Sequence, residues 1–395
     1  MRNKIIVFIS VTFLLNDDIK AQSTRERIGL VENSLLESEI SINDSVKKHN
    51  LLERMRLYNA PSVSIAVINH GKIEWAKAYG YADVKERKLA NNKTMYQAAS
   101  VTKSVNALYI MKLAQEGKLS LETDIRPYLK TWKLPENKFS LGKTITLKNL
   151  LSHTAGLGTS GFAGYLQTDS LPTINQILDG QKPANNEALK TIMPVNTTFT
   201  YSGGGTTLTR KIIEDNIASD YDSLLSTNVL KPLKMKNSTF VQVLIPQFKN
   251  FATAYDGGTN EVPGKYNLYP ELAPDGLWST PTDIAKFVIS IQQSLSNKKH
   301  TILNNSTAIK MLTPVLDTKD IALGAFIIEK GGEKYFVHLG GNRGFQCIYY
   351  GSFTTGKGVV VMVNSDNVHP TLIKEIVNSV ATVYEWKDFY SPVKK

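Results

Sequence analysis

Ser100-Val101-Thr102-Lys103 sets a hydroxyl and an amine three residues apart, the spacing that puts two side chains on one face of a helix, one turn from each other. A serine hydroxyl becomes a nucleophile once a neighbour takes its proton, and a lysine whose pKa is lowered by desolvation in a cleft can be that neighbour. The start of a helix also offers free backbone N–H groups to a developing oxyanion. The same four residues equally describe a helix cap followed by a surface lysine, so the tetrad alone decides nothing. Two further stretches add to it. Tyr201-Ser202-Gly203, followed by Gly204 and Gly205, carries a phenol that beside an ammonium can shuttle a proton between nucleophile and leaving group, and that otherwise is a partly buried aromatic on a glycine-rich turn. His338-Leu339-Gly340-Gly341 ends a strand signal with residues small enough for a substrate backbone to lie along the strand edge. The N–H of Gly341 would complete an oxyanion hole with that of Ser100. In isolation the stretch is also a β-turn with a surface histidine. Arg343, just beyond, either holds a substrate carboxylate or is an exposed hairpin arginine.

These residues need a scaffold, and the chain supplies its signals in blocks. After a polar, helix-compatible stretch from Leu30 to Tyr58, residues 62–68 read as a strand. Asn69-His70-Gly71-Lys72 supplies turn chemistry, and residues 73–79 return as the second strand of a hairpin. From Ser100 the pattern turns helical, with Val101, Val105, Leu108 and Leu113 near the 3.6 period and a stop at Gly117. Further helices are expected at 147–152, 206–216, 221–230 and 281–290. Strand signals then return at 321–328, 334–338, 345–351 and 359–364, as neighbours in one antiparallel sheet, and an amphipathic helix over 371–385 lies back on it. Strands at both ends with helices between predict an α+β fold: an α/β sandwich lobe (about 22–98 and 270–390) whose antiparallel sheet is flanked by helices, with an inserted, mainly helical lobe (about 99–269).

The 395 residues, 42% hydrophobic and 21% charged, suit one catalytic domain, residues 22–395. The first residues read differently. Arg2 and Lys4 precede an apolar run from Ile5 to Leu15, and polar residues and Ala21 follow, which is the form of a signal peptide over 1–21. Export to the periplasm or the medium is expected, without a transmembrane anchor. The single cysteine, Cys347, forms no internal disulfide and is expected in the core. The formal charge is +11, but its lysines are scattered without interleaved aromatics, which argues against nucleic-acid binding. The six histidines do not fall in metal-ligand spacing.

Taken in order, S-x-x-K at Ser100, Y-x-G at Tyr201 and H-x-G at His338 resemble the serine β-lactamases and penicillin-recognising enzymes, in the style of their class C-like branch. That branch also holds D-alanyl-D-alanine carboxypeptidases, D-amino acid peptidases, carboxylesterases and related amidases. Supporting stretches run along most of the chain: Pro61 to Val67, Gly80-Tyr81-Ala82-Asp83, TLKNLLSHTAGL from Thr146, Lys231-Pro232-Leu233, and PDGLWSTPTD from Pro274. The resemblance implies a β-lactamase/transpeptidase-like fold and an acyl-enzyme on Ser100. Lys103 and Tyr201 would manage its proton, His338 would stand on the opposite wall, and Gly203, Gly340 and Gly341 would line the substrate. It implies no metal or organic cofactor, and gives His153 a structural position.

Two departures bear on substrate. Class C β-lactamases that destroy penicillins carry Y-A-N and K-T-G, where this chain has Tyr201-Ser202-Gly203 and His338-Leu339-Gly340. The missing amide removes an arm for the substrate's acylamino group, and a histidine only partly charged near neutral pH attracts a carboxylate weakly. The expected protein is therefore a peptidase or amidase of D-alanyl-D-alanine carboxypeptidase type, with a carboxylesterase as the alternative and a silent peptidoglycan- or partner-binding module as the reading from another class. Its partner would be a small-molecule or peptide substrate (a cell-wall peptide, a β-lactam or an ester), and the protein a monomer or weak oligomer.

Overall fold

Side chains of the strand at residues 62–69 go alternately to two cores: Ala66 and Ile68 to one, Val63, Ile65 and Val67 to the other. Such a strand must lie inside a sheet covered on both faces. The computed structural model describes residues 23–37 and 47–390, apart from 218, 245–247, 317, 319 and 368–370, so the expected signal peptide lies outside the described residues. The main sheet comprises β1 (Ser62–Asn69), β2 (Lys72–Asp83), β3 (Lys88–Leu89), β4 (Phe326–Lys330), β5 (Glu333–Asn342), β6 (Phe345–Ser352) and β7 (Gly358–Val363). Their order is β4-β5-β6-β7-β1-β2-β3, antiparallel throughout, with β7 and β1 joining the two halves of the chain.

The hairpin forms where its turn residues are: His70 and Gly71 both take positive φ, +50° and +67°, as a two-residue turn requires. The strand expected at 321–328 lies later, at Phe326–Lys330, because the chain bends at Gly324 (φ +77°), where an added Cβ would stand 2.3 Å from Ala107. Cys347 is fully buried in β6, as expected.

Five helices matter for the site: α1 (Thr102–Gln115), α2 (Leu147–Leu151), α3 (Gly203–Asn216), α4 (Pro281–Leu295) and α5 (Thr371–Val383). Every residue of α1 from Thr102 to Met111 is buried, so it is a central helix rather than a surface one with a single apolar stripe. Helix α3 begins earlier than expected because Ser202 caps it, its Oγ accepting the Gly205 N–H at 2.8 Å. Helix α4 brings Ile284, Phe287, Val288 and Ile291 to one core, while α5 brings Leu372, Ile373, Ile376, Val377 and Val380 to the other. Residues 221–230 form a short helix, Tyr221–Leu225, followed by a π turn. Among the described residues no helix is long and apolar enough to cross a membrane.

Candidate active site

Ser100 sits on a 3-10 turn, Ala99–Val101, that runs into α1. Two clamps hold this turn against the segment 274–279. Tyr96–Gln97 pairs with Trp278–Ser279, and the Ala98 N–H donates to the Leu277 carbonyl at 2.8 Å. Thr102 Oγ1 donates to Ala99 O at 2.5 Å and accepts the Leu277 N–H at 3.3 Å. Between the clamps Ala99 is forced to φ +48°, a left-handed conformation that costs an alanine about 1–2 kcal/mol. The strain fixes the direction of the next side chain, which is Ser100.

One turn on, Lys103 is only 2% exposed. Its Nζ donates to Ser100 Oγ at 2.8 Å, to the Pro274 carbonyl at 3.1 Å and to Asp275 Oδ1 at 3.2 Å. Ser100 Oγ donates in turn to Asp275 Oδ1 at 2.9 Å. Burial by itself would pull the ammonium down, but the Asp275 carboxylate, with Tyr201 beside it, outweighs burial and holds Lys103 above the ordinary lysine value. The expected lowering by desolvation is thus reversed by a counter-ion that the S-x-x-K spacing does not reveal.

Tyr201 precedes the cap of α3, and its ring centroid lies 5.2 Å from Lys103 Nζ. Against its other side packs His153, ring centroids 4.4 Å apart. His153 Nδ1 accepts the Ser202 N–H at 3.2 Å, and burial together with the Lys103 charge keeps it well below the usual histidine range. It therefore positions the tyrosine segment as a neutral acceptor. The wall continues through Phe199 and Phe326 to His338, whose ring is 5.5 Å from that of Phe326.

His338 does lie across from Lys103, but not as a partly charged residue. Burial, with the Lys103 charge second, pushes it down to about 3. Its Nδ1 faces the Leu339 carbonyl at 2.8 Å, and since a carbonyl only accepts, the neutral ring carries its proton there. Beyond His338, β5 has no strand partner on its β4 side among the described residues, pairing there ending at Phe326 and Val337. Gly340 lets this edge approach Ser100: a Cβ there would stand 2.5 Å from Ala98 O and 2.7 Å from Ser100 N. At Gly341 a Cβ would meet nothing within 4 Å. Arg343, in contrast, turns away to Asp256, with Nε and Nη2 each 2.8 Å from its Oδ2, so its charge is already matched. Gly203 is the first residue of α3 and packs towards Phe162 and Ser160.

Residues 48–379 of the chain match the Beta-lactamase family. The chain belongs to that family. Protein flp of Staphylococcus aureus (strain MW2) is 30% identical over 244 residues, which are 60% of this chain and 44% of flp. The teichoic acid D-alanine hydrolase of Staphylococcus aureus is 25% identical over 284 residues, 71% of this chain and 66% of the hydrolase. The chain thus spans less than half of flp where the two match. Among solved structures, the octameric penicillin-binding protein homologue from Pyrococcus abyssi superposes with a TM-score of 0.70 at 25% identity, covering 86% of this chain and 76% of that one.

Within this beta-lactamase-family fold, the structure brings Ser100, Lys103, Tyr201, His338 and Gly340 together, whereas Arg343 does not join them. Asp275 and Asn342 are the members that the motifs omit. Asn342 donates to the Asp275 carbonyl at 3.2 Å and to Gln97 Oε1 at 2.9 Å, tying the loop of Asp275 to β5. A signal for Asp275 exists in the sequence: it is a lone carboxylate between Ala273-Pro274 and Gly276-Leu277-Trp278. Nearby Glu271 is fully buried, neither carboxyl oxygen has a hydrogen-bond partner on another of the described residues, and burial pushes it up to about 8.

Proposed function

We propose that the chain is an exported serine hydrolase that cleaves an ester or amide through an acyl-enzyme on Ser100, as one catalytic domain left after removal of residues 1–21. The observation that carries this reading is Ser100 Oγ held between Lys103 Nζ at 2.8 Å and Asp275 Oδ1 at 2.9 Å, on a strained turn beside an open strand edge. Attack by Oγ on the carbonyl would place the oxyanion at the backbone N–H groups of Ser100 and Gly341. The proton leaves to the buried cluster around Oγ, and water later releases the acyl group. Tyr201 lines the side on which a leaving group departs.

The substrate class follows from charge. Neutral His338 and ion-paired Arg343 offer no free positive charge to a carboxylate beside the scissile bond. Small esters or amides without such a carboxylate therefore fit better than β-lactams or D-alanyl-D-alanine peptides. Kinship to a teichoic acid D-alanine hydrolase supports an acyl group of D-alanyl type. The test is intact-protein mass spectrometry after exposure to a fluorophosphonate and, separately, a penicillin, on wild type and Ser100→Ala. The expected result is rapid fluorophosphonate uptake by wild type only, with slow or no penicilloyl adduct. Absence of both adducts would overturn the acyl-enzyme reading, and a fast penicilloyl adduct would overturn the substrate class.

A further inference from the structure

Counting protons around Ser100 raises a difficulty for a lysine base. Lys103 Nζ has three oxygen acceptors, Ser100 Oγ, the Pro274 carbonyl and Asp275 Oδ1, at 2.8, 3.1 and 3.2 Å. A carboxylate oxygen only accepts, so the 2.9 Å contact of Ser100 Oγ with Asp275 Oδ1 takes the hydroxyl proton; Oγ is then an acceptor towards Nζ, and three N–H bonds to three acceptors make an ammonium with no lone pair left to receive a proton. The carbonyl at this site can only accept, so Nζ must donate to it. A carboxylate at 3.2 Å in a site where Lys103 and Asp275 are 2% and 4% exposed further favours the charged pair, since buried charges persist when matched. The hydroxyl proton of Ser100 then has Asp275 Oδ1, 2.9 Å away, as its acceptor.

We infer that Asp275 is a catalytic residue that accepts the Ser100 proton, while Lys103 remains an ammonium throughout. The inference rests on the acyl-enzyme reading above and specifies its proton acceptor. As the Oγ–carbon bond forms, the hydroxyl proton moves to Asp275 Oδ1 and the carbonyl π pair moves to its oxygen. On collapse that pair re-forms the carbonyl, the bond to the leaving oxygen or nitrogen breaks, and the leaving group takes the proton, restoring the carboxylate. Lys103 pins Oγ and offsets the charge of Asp275, and Asn342 holds the Asp275 backbone from the opposite side at 3.2 Å. Asp275 is thereby placed to act on the nucleophile directly, which requires it within hydrogen-bond reach of the proton it takes.

The test measures the rate of fluorophosphonate uptake by intact mass. Fluoride leaves without a proton, so the reaction isolates the acceptor from any general acid. Asp275→Asn is expected to slow uptake on the order of 100-fold or more, Asp275→Ala to regain at least tenfold with added formate, and Tyr201→Phe to lose less than tenfold. Uptake by Asp275→Asn within tenfold of wild type, or faster because a lysine freed of its counter-ion takes over, overturns the inference. So does a larger loss in Tyr201→Phe than in Asp275→Asn. Should Asp275→Asn fail to fold by circular dichroism, Lys103→Arg serves instead: arginine keeps the ion pair but has no proton-accepting form. Uptake at least tenfold above Ser100→Ala is then expected, and uptake below that overturns the inference. A wild-type chain that takes up no label overturns the acyl-enzyme reading and this inference together, whereas labelled wild type with an unaffected Asp275→Asn overturns this inference alone.

Discussion

Glu271 shows how a residue can be close to the chemistry without belonging to it. Its carboxyl ordinarily titrates near 4.5, and burial, with Asp275 adding to it, pushes it up to about 8. Between those values the folded chain holds a proton that the unfolded chain has released, so this contribution to stability is complete below pH 4.5 and is lost as pH rises through 8, at about 1.4 kcal/mol per pH unit. Glu271→Gln removes the titration. Urea unfolding at pH 5, 6, 7 and 8 should therefore show the variant gaining on wild type as pH rises; parallel curves would mean that Glu271 is charged in the fold. At the same scale, Arg343→Ala should leave the ratio of rates on neutral and anionic acyl donors unchanged, because its charge is matched by Asp256 at 2.8 Å. A selective loss on anionic donors would show that Arg343 reaches the substrate after all.

At the scale of elements, the site depends on how closely β5 approaches the Ser100 turn. Gly340→Ala drives a methyl to within 2.5 Å of Ala98 O and 2.7 Å of Ser100 N, both backbone atoms that cannot swing aside. We expect a loss of about 1–3 kcal/mol in stability, as for other overpacked sites, and a far larger proportional loss in fluorophosphonate uptake. Gly341→Ala, where the added Cβ meets nothing within 4 Å, should fold with stability within about 1 kcal/mol of wild type, as a glycine-to-alanine change in open space allows. Equal destabilisation in the two variants would show that β5 is not pinned against the turn. The motif Ser100-x-x-Lys103 was readable because its geometry is local to one helix turn. Asp275 showed only as a lone carboxylate, and its place beside Ser100 was not readable, since it lies 175 residues from Ser100 and only pairing of Tyr96–Gln97 with Trp278–Ser279 brings it there. The state of Lys103 was unreadable for the same reason: desolvation can be guessed from a motif, but the counter-ion that reverses it comes from elsewhere in the fold.

Across the whole molecule, the architecture was more legible than the electrostatics. The change of period at residues 62–68 and the apolar run over 359–363 pointed to strands, and turn chemistry at His70-Gly71 to a hairpin, because period and turn residues act over a few positions. The late start of β4 was hidden, since Gly324 bends the chain only in response to α1. The two chain ends are also tied by charge. Glu375 on α5, 1% exposed, accepts from Arg54 Nε at 2.7 Å and from Tyr58 Oη at 2.9 Å. Glu375→Ala leaves the Arg54 guanidinium unmatched and is expected to cost about 3–5 kcal/mol, as for breaking a buried pair from one side, read as a lower urea midpoint. A shift under about 1 kcal/mol would place this pair with ordinary surface ion pairs.

The pairing of β1 with β7 has a consequence for synthesis. A ribosome that has delivered residues 1–325 has made Ser100, Lys103, Tyr201 and Asp275 but none of the strands from β4 to β7. Without β7, the inner edge of β1 has no neighbour, and without β5 no Gly340 lies against the Ala98–Ser100 turn. Until β5 and β7 have emerged, the nascent chain therefore carries Ser100 and Lys103 without the surroundings that the fold gives them. Ser100 acquires those surroundings only once the strands from β4 to β7 have emerged.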